Sequence, residues 1–249
     1  MCVAALAWHA HPRWRLVAIG NRDEYHGRPA AALARWDDDC GIIAGRDLVG
    51  GGAWLGASDR GRFALVTNRR GFGDPDPNLR SRGELVRALL TGDDTPASLS
   101  AYNPFNLLAA SGDRLEYLTN RPAPLRTPLA HGIYGLSNGA LDEPWPKTLA
   151  LKAALTDWLG AGDDDPAALF AVLASEDRPA LGLSSREPSD IAIEPRDTPP
   201  FIHGDEYGTR CSTVVTIDRD GAGRIVERRF DCAGAATGDT ALDFRWPAA

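Results

Sequence analysis

Cysteine at position 2 is the first residue on which chemistry can be built. Removal of Met1, which a small second residue permits, leaves a thiol and a free α-amine on one residue. The ordinary pKa of that amine, about 7.7–8.0, lets it act as the base for its own thiol near neutrality. This is the arrangement of an N-terminal nucleophile; the other reading of Cys2 is a small buried residue that only packs. Further on, Gly20-Asn21-Arg22-Asp23-Glu24 ends an apolar pattern abruptly with a polar and charged run. In an extended chain Asn21 and Asp23 share one face and Arg22 and Glu24 the other. Asn21 and Asp23 can therefore reach toward Cys2 on a neighbouring strand, with Asp23 holding the amine; a solvated strand end explains the same run without chemistry.

Asn68 and Asn138 each follow an apolar stretch, in Leu65-Val66-Thr67-Asn68 and Tyr134-Gly135-Leu136-Ser137-Asn138. A side-chain amide there suits an oxyanion donor, which in a dry site contributes about 3–4 kcal/mol. An Asn turn is the alternative at both, and Gly139 strengthens it at the second. Arg210 enters a run that reads as a buried strand (Val214, Val215, Ile217), where a guanidinium needs a carboxylate, from Asp23 or from a ligand. Cys211 alternates to the opposite face and reads as packing. His9-Ala10-His11 puts two imidazoles on one strand face with no third metal ligand in view, so a surface turn is the better reading and no metal is expected. Gly50-Gly51-Gly52-Ala53-Trp54-Leu55-Gly56 lacks the Gly-Lys-Ser/Thr ending of a phosphate loop. Close backbone approach, or a pocket wall with Trp54 as its apolar face, accounts for it better.

The elements that must position these residues are legible in outline. Short apolar runs at 3–8 and 15–22, with a turn at 9–14, read as strands, as do 41–44 and 63–67. Gly and Pro make 69–79 a loop. Ser81-Arg82-Gly83-Glu84 has the spacing of a capping box before the apolar run 85–90, and Thr95-Pro96 resembles a second helix start. Strands follow at about 106–110, 114–118 and 133–136. A helix over 147–159 places Leu149, Leu151, Ala153, Leu155 and Trp158 on adjoining faces, with Gly160 to stop it. Asp165-Pro166 opens another, to about 174. The segment 184–208, rich in Pro, Ser and charge, reads as an extended surface excursion. A closing hairpin pairs 212–217 with 224–230 around Asp220-Gly221. Helices in the middle and strands at both ends do not alternate as βαβ units, so antiparallel sheets with segregated helices are expected. The Asp-rich runs 37–39 and 163–165 read as loop and helix-start residues.

Composition sets the outer bounds. The 249 residues, 43% hydrophobic, suffice for a core without metal or disulfide and show no sharp break, so a single domain over 1–249 is expected. A net charge of −7 argues against nucleic acid as a bulk partner. No apolar run reaches the roughly 18–20 residues of a membrane span. The start of the chain has no basic, then apolar, export signal, and the four cysteines include no C-x-x-C pair, so the cytoplasm is the expected compartment. Lysine occurs only at Lys147 and Lys152; the Arg and Ala bias reads as a GC-rich genome.

Taken together, Met1-Cys2, Asn21-Arg22-Asp23-Glu24, Gly51-Gly52-Ala53-Trp54-Leu55-Gly56, Thr67-Asn68, Ser81-Arg82-Gly83, Tyr134 to Asn138 and Tyr207-Gly208-Thr209-Arg210 make the chain resemble the NRDE family, also called the transport and Golgi organisation protein 2 family. The resemblance spans Cys2 to about Val215. It implies an α+β fold, a four-layer αββα sandwich of antiparallel sheets like that of N-terminal nucleophile (Ntn) hydrolases. A more distant similarity, to the bile-salt hydrolase and acid ceramidase group, implies Cys2 as nucleophile, Asp23 as its amine partner, Asn68 and Asn138 as oxyanion donors and Arg210 as a late arginine. Gly20 departs from that group, which carries Arg there, and Arg22 stands in from the other face. Two functions follow: hydrolysis of a carbon–nitrogen bond in a small-molecule amide, with no cofactor, or carriage of a hydrophobic acidic ligand such as haem or an acyl lipid. In the second, Arg22 or Arg210 would pair with the ligand's acid groups and Trp54 would line the pocket, with Asn21 in the same binding set.

Overall fold

Cys2–Trp8 offers no polar side chain to water, and each of its residues is buried. Such a strand must be covered on both faces, and the computed structural model, which describes residues 2–37, 41–93, 98–162, 165–178 and 198–247, shows what covers it. In chain order the elements are β1 (Cys2–Trp8), β2 (Trp14–Tyr25), β3 (Ala30–Arg35), β4 (Ile42–Asp47), β5 (Leu55–Ser58), β6 (Arg62–Asn68), α1 (Arg82–Thr91), β7 (Phe105–Ser111), β8 (Arg114–Thr119), β9 (Leu125–Leu129), β10 (Gly132–Leu136), α2 (Pro146–Ala161), α3 (Ala167–Leu173), β11 (Tyr207–Asp218), β12 (Ala222–Phe230) and β13 (Ala236–Arg245). One antiparallel sheet runs β10-β1-β2-β11-β12-β13 and a second runs β3-β4-β5-β6-β7-β8-β9.

Residue parity assigns the layers. Even-numbered Ala4, Leu6, Trp8, Leu16 and Ala18 meet Leu55, Phe63 and Leu65 of the other sheet in a central core. Odd-numbered Val3, Ala5, Val17 and Ile19 meet Leu151, Leu155 and Trp158 of α2 and Leu169, Phe170 and Leu173 of α3. On the far side, Ala44, Ala64 and Val66 pack under Leu85, Val86, Leu89 and Leu90 of α1. The order is helix, sheet, sheet, helix: the αββα sandwich of antiparallel sheets.

Several local expectations need correction. Ser81 is the N-cap of α1, yet its side chain makes no cap bond, and Glu84 pairs with Arg80 at 2.9 Å instead of closing a capping box. Helix α2 ends at Gly162, not Gly160, because Gly162 takes the left-handed backbone (φ 68) that closes the last turn. Strands β3, β5, β9 and β13 escaped the sequence reading, being short or mostly exposed. Residues 38–39, 95–96, 163–164 and 184–197, which hold most of the two acidic runs, the second helix start and most of the surface excursion, lie outside the described residues. The triple glycine does serve close approach: a Cβ on Gly52 would overlap the backbone of Gly83 at the start of α1. Among the described residues no helix is long and apolar enough to cross a membrane.

Candidate functional site

Residues from both sheets line a cavity of about 1130 Å³ at the open ends of β1, β2, β6 and β11. Strand register puts Cys2 there. It stands opposite Arg22 of β2, and Cys211 of β11 flanks Arg22 from the other side. Both cysteines line the cavity and are free thiols. Burial pushes the Cys2 thiol up; the positively charged start of the chain, the Asp23 backbone N–H and Arg22 pull against that, while the Asp23 carboxylate adds to it. A thiol so placed stays protonated at neutral pH until a base takes its proton.

Asn21 and Asp23 do share a face, but it is the one turned toward the helices. Asn21 donates through Nδ2 to the carbonyls of Leu173 (2.7 Å) and Pro200 (2.8 Å) and accepts from the Ser212 hydroxyl at 2.7 Å. Fully buried and absent from the cavity wall, it ties β2 to the end of α3 rather than facing a ligand. Asn21→Ala is expected to lower stability by about 1–3 kcal/mol, the cost of stranding buried hydrogen-bonding groups. Chemical denaturation measures this, and the rate of Cys2 alkylation in the folded protein should not change.

Asp23 reaches both environments. It lines the cavity, and its Oδ1 accepts from the Thr209 hydroxyl at 2.7 Å. Tyr207 donates to the Asp23 carbonyl at 2.8 Å. Burial raises the Asp23 carboxyl from 3.8 to about 6, against the opposing pull of the charged chain start, Lys147, the Thr209 hydroxyl and Arg22. The two asparagines meet across the sheets. Ser137 donates to the Cys2 carbonyl at 2.8 Å, Thr67 donates to the Ser137 carbonyl at 2.6 Å, and Asn138 donates to the Asn68 carbonyl at 2.8 Å. Asn68 lines the cavity. Asn138 sits behind it, fully buried, with its Oδ1 unpartnered among the described residues.

Arg210 does not pair with Asp23. It is the extra residue of a β-bulge: Thr209 aligns with Asp23, but Cys211 already aligns with Arg22. Its Nη1 donates to the carbonyls of Tyr25 and His26, both at 2.9 Å, while its buried Nε has no hydrogen-bond partner among the described residues. Trp54 lines the cavity and lies over Gly20. A Cβ at Gly20 would come within 2.8 Å of the Val3 carbonyl and 3.3 Å of the Trp54 ring, so a long side chain has no room there. Arg22 supplies the guanidinium beside Cys2. It reaches Asp47 at 3.2 Å, which Arg28 also binds at 2.6 Å. Burial disfavours charge on Asp47, but Arg28 and the N–H groups of Gly50 and Val49 outweigh it and hold its carboxyl below the usual range.

Sequence reading missed three groups. Arg82 at the start of α1 and Glu227 of β12 line the cavity, and Lys147 in the first turn of α2 is buried close enough to feel Asp23 and Cys2. A lysine in a chain with only one other was the signal available for Lys147. The His9-His11 pair forms no metal site: Arg219 lies 2.6 Å from His9 Nδ1, and His9 stacks on His131. Among the described residues no group of three or more His, Cys, Asp or Glu is placed to hold a metal.

The family model for Transport and Golgi organisation 2 matches residues 1–232. The Transport and Golgi organization protein 2 homolog of Bos taurus is 35% identical, with 92% of each chain covered. The Homo sapiens homolog is 31% identical with the same coverage. A solved structure, the Caenorhabditis elegans N-acylethanolamine-hydrolyzing acid amidase ortholog, is similar at 11% identity and a TM-score of 0.45, covering 86% of this chain and 92% of that one.

Proposed function

This chain belongs to the Transport and Golgi organisation 2 family, and we propose that it is an Ntn-type hydrolase that cleaves the carbon–nitrogen bond of an amide with Cys2 after loss of Met1. The observation that carries this is the row at the cavity end: Cys2 opposite Arg22, with the Asp23 carboxylate alongside and the Asn68–Asn138 pair tied to the Cys2 carbonyl through Ser137 and Thr67. The freed α-amine takes the thiol proton, and the sulfur forms a bond to the substrate carbonyl carbon. Charge moves onto the carbonyl oxygen, where the Asn68 amide is the donor of the set that lines the cavity; Asn138, with one N–H on the Asn68 carbonyl, holds that strand end in place. The α-ammonium then gives its proton to the leaving nitrogen as the C–N bond breaks, leaving a thioester on Cys2. Water attacks the thioester, releasing the acid and restoring the thiol.

The test begins with intact mass, to establish that Met1 is gone. An electrophilic amide or lactam probe should then label the mature protein at Cys2. No label at Cys2, or measured activity unchanged in Cys2→Ala, would overturn the reading. The second reading, a carrier for haem or an acyl lipid, is favoured by one observation: buried guanidinium nitrogens of Arg22 and Arg210 on the cavity wall have no hydrogen-bond partner among the described residues. Such groups suit an acidic ligand under either reading. An absorbance titration with haem, or a fluorescence titration with acyl-CoA, that shows no ligand-dependent change would remove the carrier.

A further inference from the structure

Strand register builds a row of side chains on the cavity side of the first sheet. Cys2 of β1 pairs with Arg22 of β2, Arg22 with Cys211 of β11, and Cys211 with Arg229 of β12. Residues paired directly across a ladder point to the same face, and all four line the cavity. Arg22 and Arg229 therefore leave the sheet two strand spacings apart, about 10 Å. Their far ends converge. Arg22 donates through Nη2 to Asp47 at 3.2 Å, and Arg229 donates through Nη2 to the Ala30 carbonyl at 3.1 Å. Ala30 and Asp47 are direct partners on β3 and β4, a single strand spacing apart. Two guanidiniums rooted on either side of Cys211 thus lean together above it.

Arg210, the bulged residue next to Cys211, adds a third. It lines the same cavity. Burial and the like charges of Arg22 and Arg229 draw its guanidinium down from the ordinary range. Donors remain unused: the Arg22 side chain is 10% exposed, yet its Nη1 has no hydrogen-bond partner among the described residues, and neither has the Arg210 Nε. The carboxylates nearby have other partners. Asp47 also takes Arg28 and the N–H groups of Val49 and Gly50, and Glu24 stands 3.8 Å from Arg22. Glu227 accepts from the Leu33 N–H at 2.9 Å, and burial pulls its carboxyl toward the neutral form. Ala30, Ala31 and Gly45 line the cavity from the second sheet, with no side chain longer than a methyl.

We propose that Arg22, Arg210 and Arg229 form a subsite over Cys211 for a carboxylate or phosphate group, and that the amide cleaved at Cys2 carries such a group about 10 Å from its scissile carbonyl. Guanidiniums grip either oxyanion through paired, charge-assisted N–H donors. The distance rests on the reading of Cys2 as an N-terminal nucleophile, whereas the anion subsite stands without it.

Chloroacetamides of ω-amino acids and of ω-aminophosphonates, in series of increasing chain length, test both parts on the mature protein. Each is run beside its neutral methyl ester, and peptide mapping reads the label at Cys2. The charged form should label Cys2 roughly 10–100-fold faster than its ester, the scale of a charge-assisted hydrogen bond. That preference should peak at an intermediate chain length, where the acid group reaches the space over Cys211. The series with the larger preference tells carboxylate from phosphate. Arg229→Gln and Arg210→Gln should each bring the ratio of charged to ester labelling down toward one, while Arg229→Lys should keep part of it. A general loss of structure or of thiol reactivity slows both probes alike and cancels in the ratio. A ratio of one in the wild type overturns the proposal, as does a ratio that survives both Gln substitutions or is highest for the shortest acid. Failure of the nucleophile reading looks different: no probe would label Cys2 faster than the exposed Cys232. Isothermal titration with inorganic phosphate and with acetate then decides the subsite. Saturable binding that both Gln variants weaken supports it, and its absence overturns it.

Discussion

Mature Cys2→Ala protein should retain affinity for an acidic amide substrate and lose its turnover by about 10⁴-fold or more, the scale reported when a hydrolase loses its nucleophile. Binding survives because the groups that would grip the acid, Arg22 and Arg210, lie on the cavity wall and make no described contact with the thiol that the substitution removes. Turnover fails because no other nucleophile takes its place. Cys211 is the nearest candidate, across Arg22 in the same row, but burial and the neighbouring Glu227 push its thiol well above the ordinary range. Protein that retains Met1 should match Cys2→Ala in turnover, since an amide nitrogen on Cys2 cannot accept the thiol proton. Single-turnover kinetics with equilibrium binding measures both quantities. Equal binding and equal turnover in wild type, Cys2→Ala and the retained-Met1 form would point to a carrier.

A second large effect is expected in stability against pH. The folded Asp23 carboxyl sits at about 6 against an ordinary 3.8, so the native state binds the proton more tightly and stability falls as pH rises from about 3.8 to about 6. The folded Lys147 ammonium sits at about 8 against 10.5, so the native state holds its proton less tightly and stability recovers as pH rises from about 8 to about 10.5. Between about 6 and about 8 both charges are buried and the pair is a net cost. The double variant Asp23→Asn/Lys147→Met should therefore be more stable than wild type by about 1–4 kcal/mol near neutrality, as when buried charges are replaced together. The gain should shrink on both sides of that window. Urea denaturation over a pH series tests this, and a gain that is flat with pH would show that the charges are not responsible.

How much of this was readable from the residues depended on what each element buries. Strands β1 and β2 are covered on both faces and announce themselves as apolar runs. Strand β13 carries mostly exposed residues along an edge, and its pattern does not differ from that of a loop. At the site, alternation correctly grouped Asn21 with Asp23. It cannot say which layer that face meets, and α3 closing over Asn21 is a long-range event. Gly20 looked like a missing arginine, whereas the Trp54 ring occupies the space such a side chain would need. Lys147 stood at the edge of a helix that the sequence did mark, and nothing local distinguishes a buried first turn from a solvated one.

The bulge at Arg210 has a consequence for how this site is encoded. Beyond it, Cys211, Val215 and Ile217 all point into the central core. Were residue 210 paired in the ladder instead of bulged out of it, Thr209 would follow the same parity and turn its hydroxyl inward, away from the carboxylate it meets at 2.7 Å. The strand thus changes phase at one position, and the bulge lets Arg210 be accommodated while Thr209 stays on Asp23. Deleting residue 210 would heal the ladder into continuous pairing with Thr209 still opposite Asp23, and would remove instead the guanidinium that the bulge sends to the Tyr25 and His26 carbonyls.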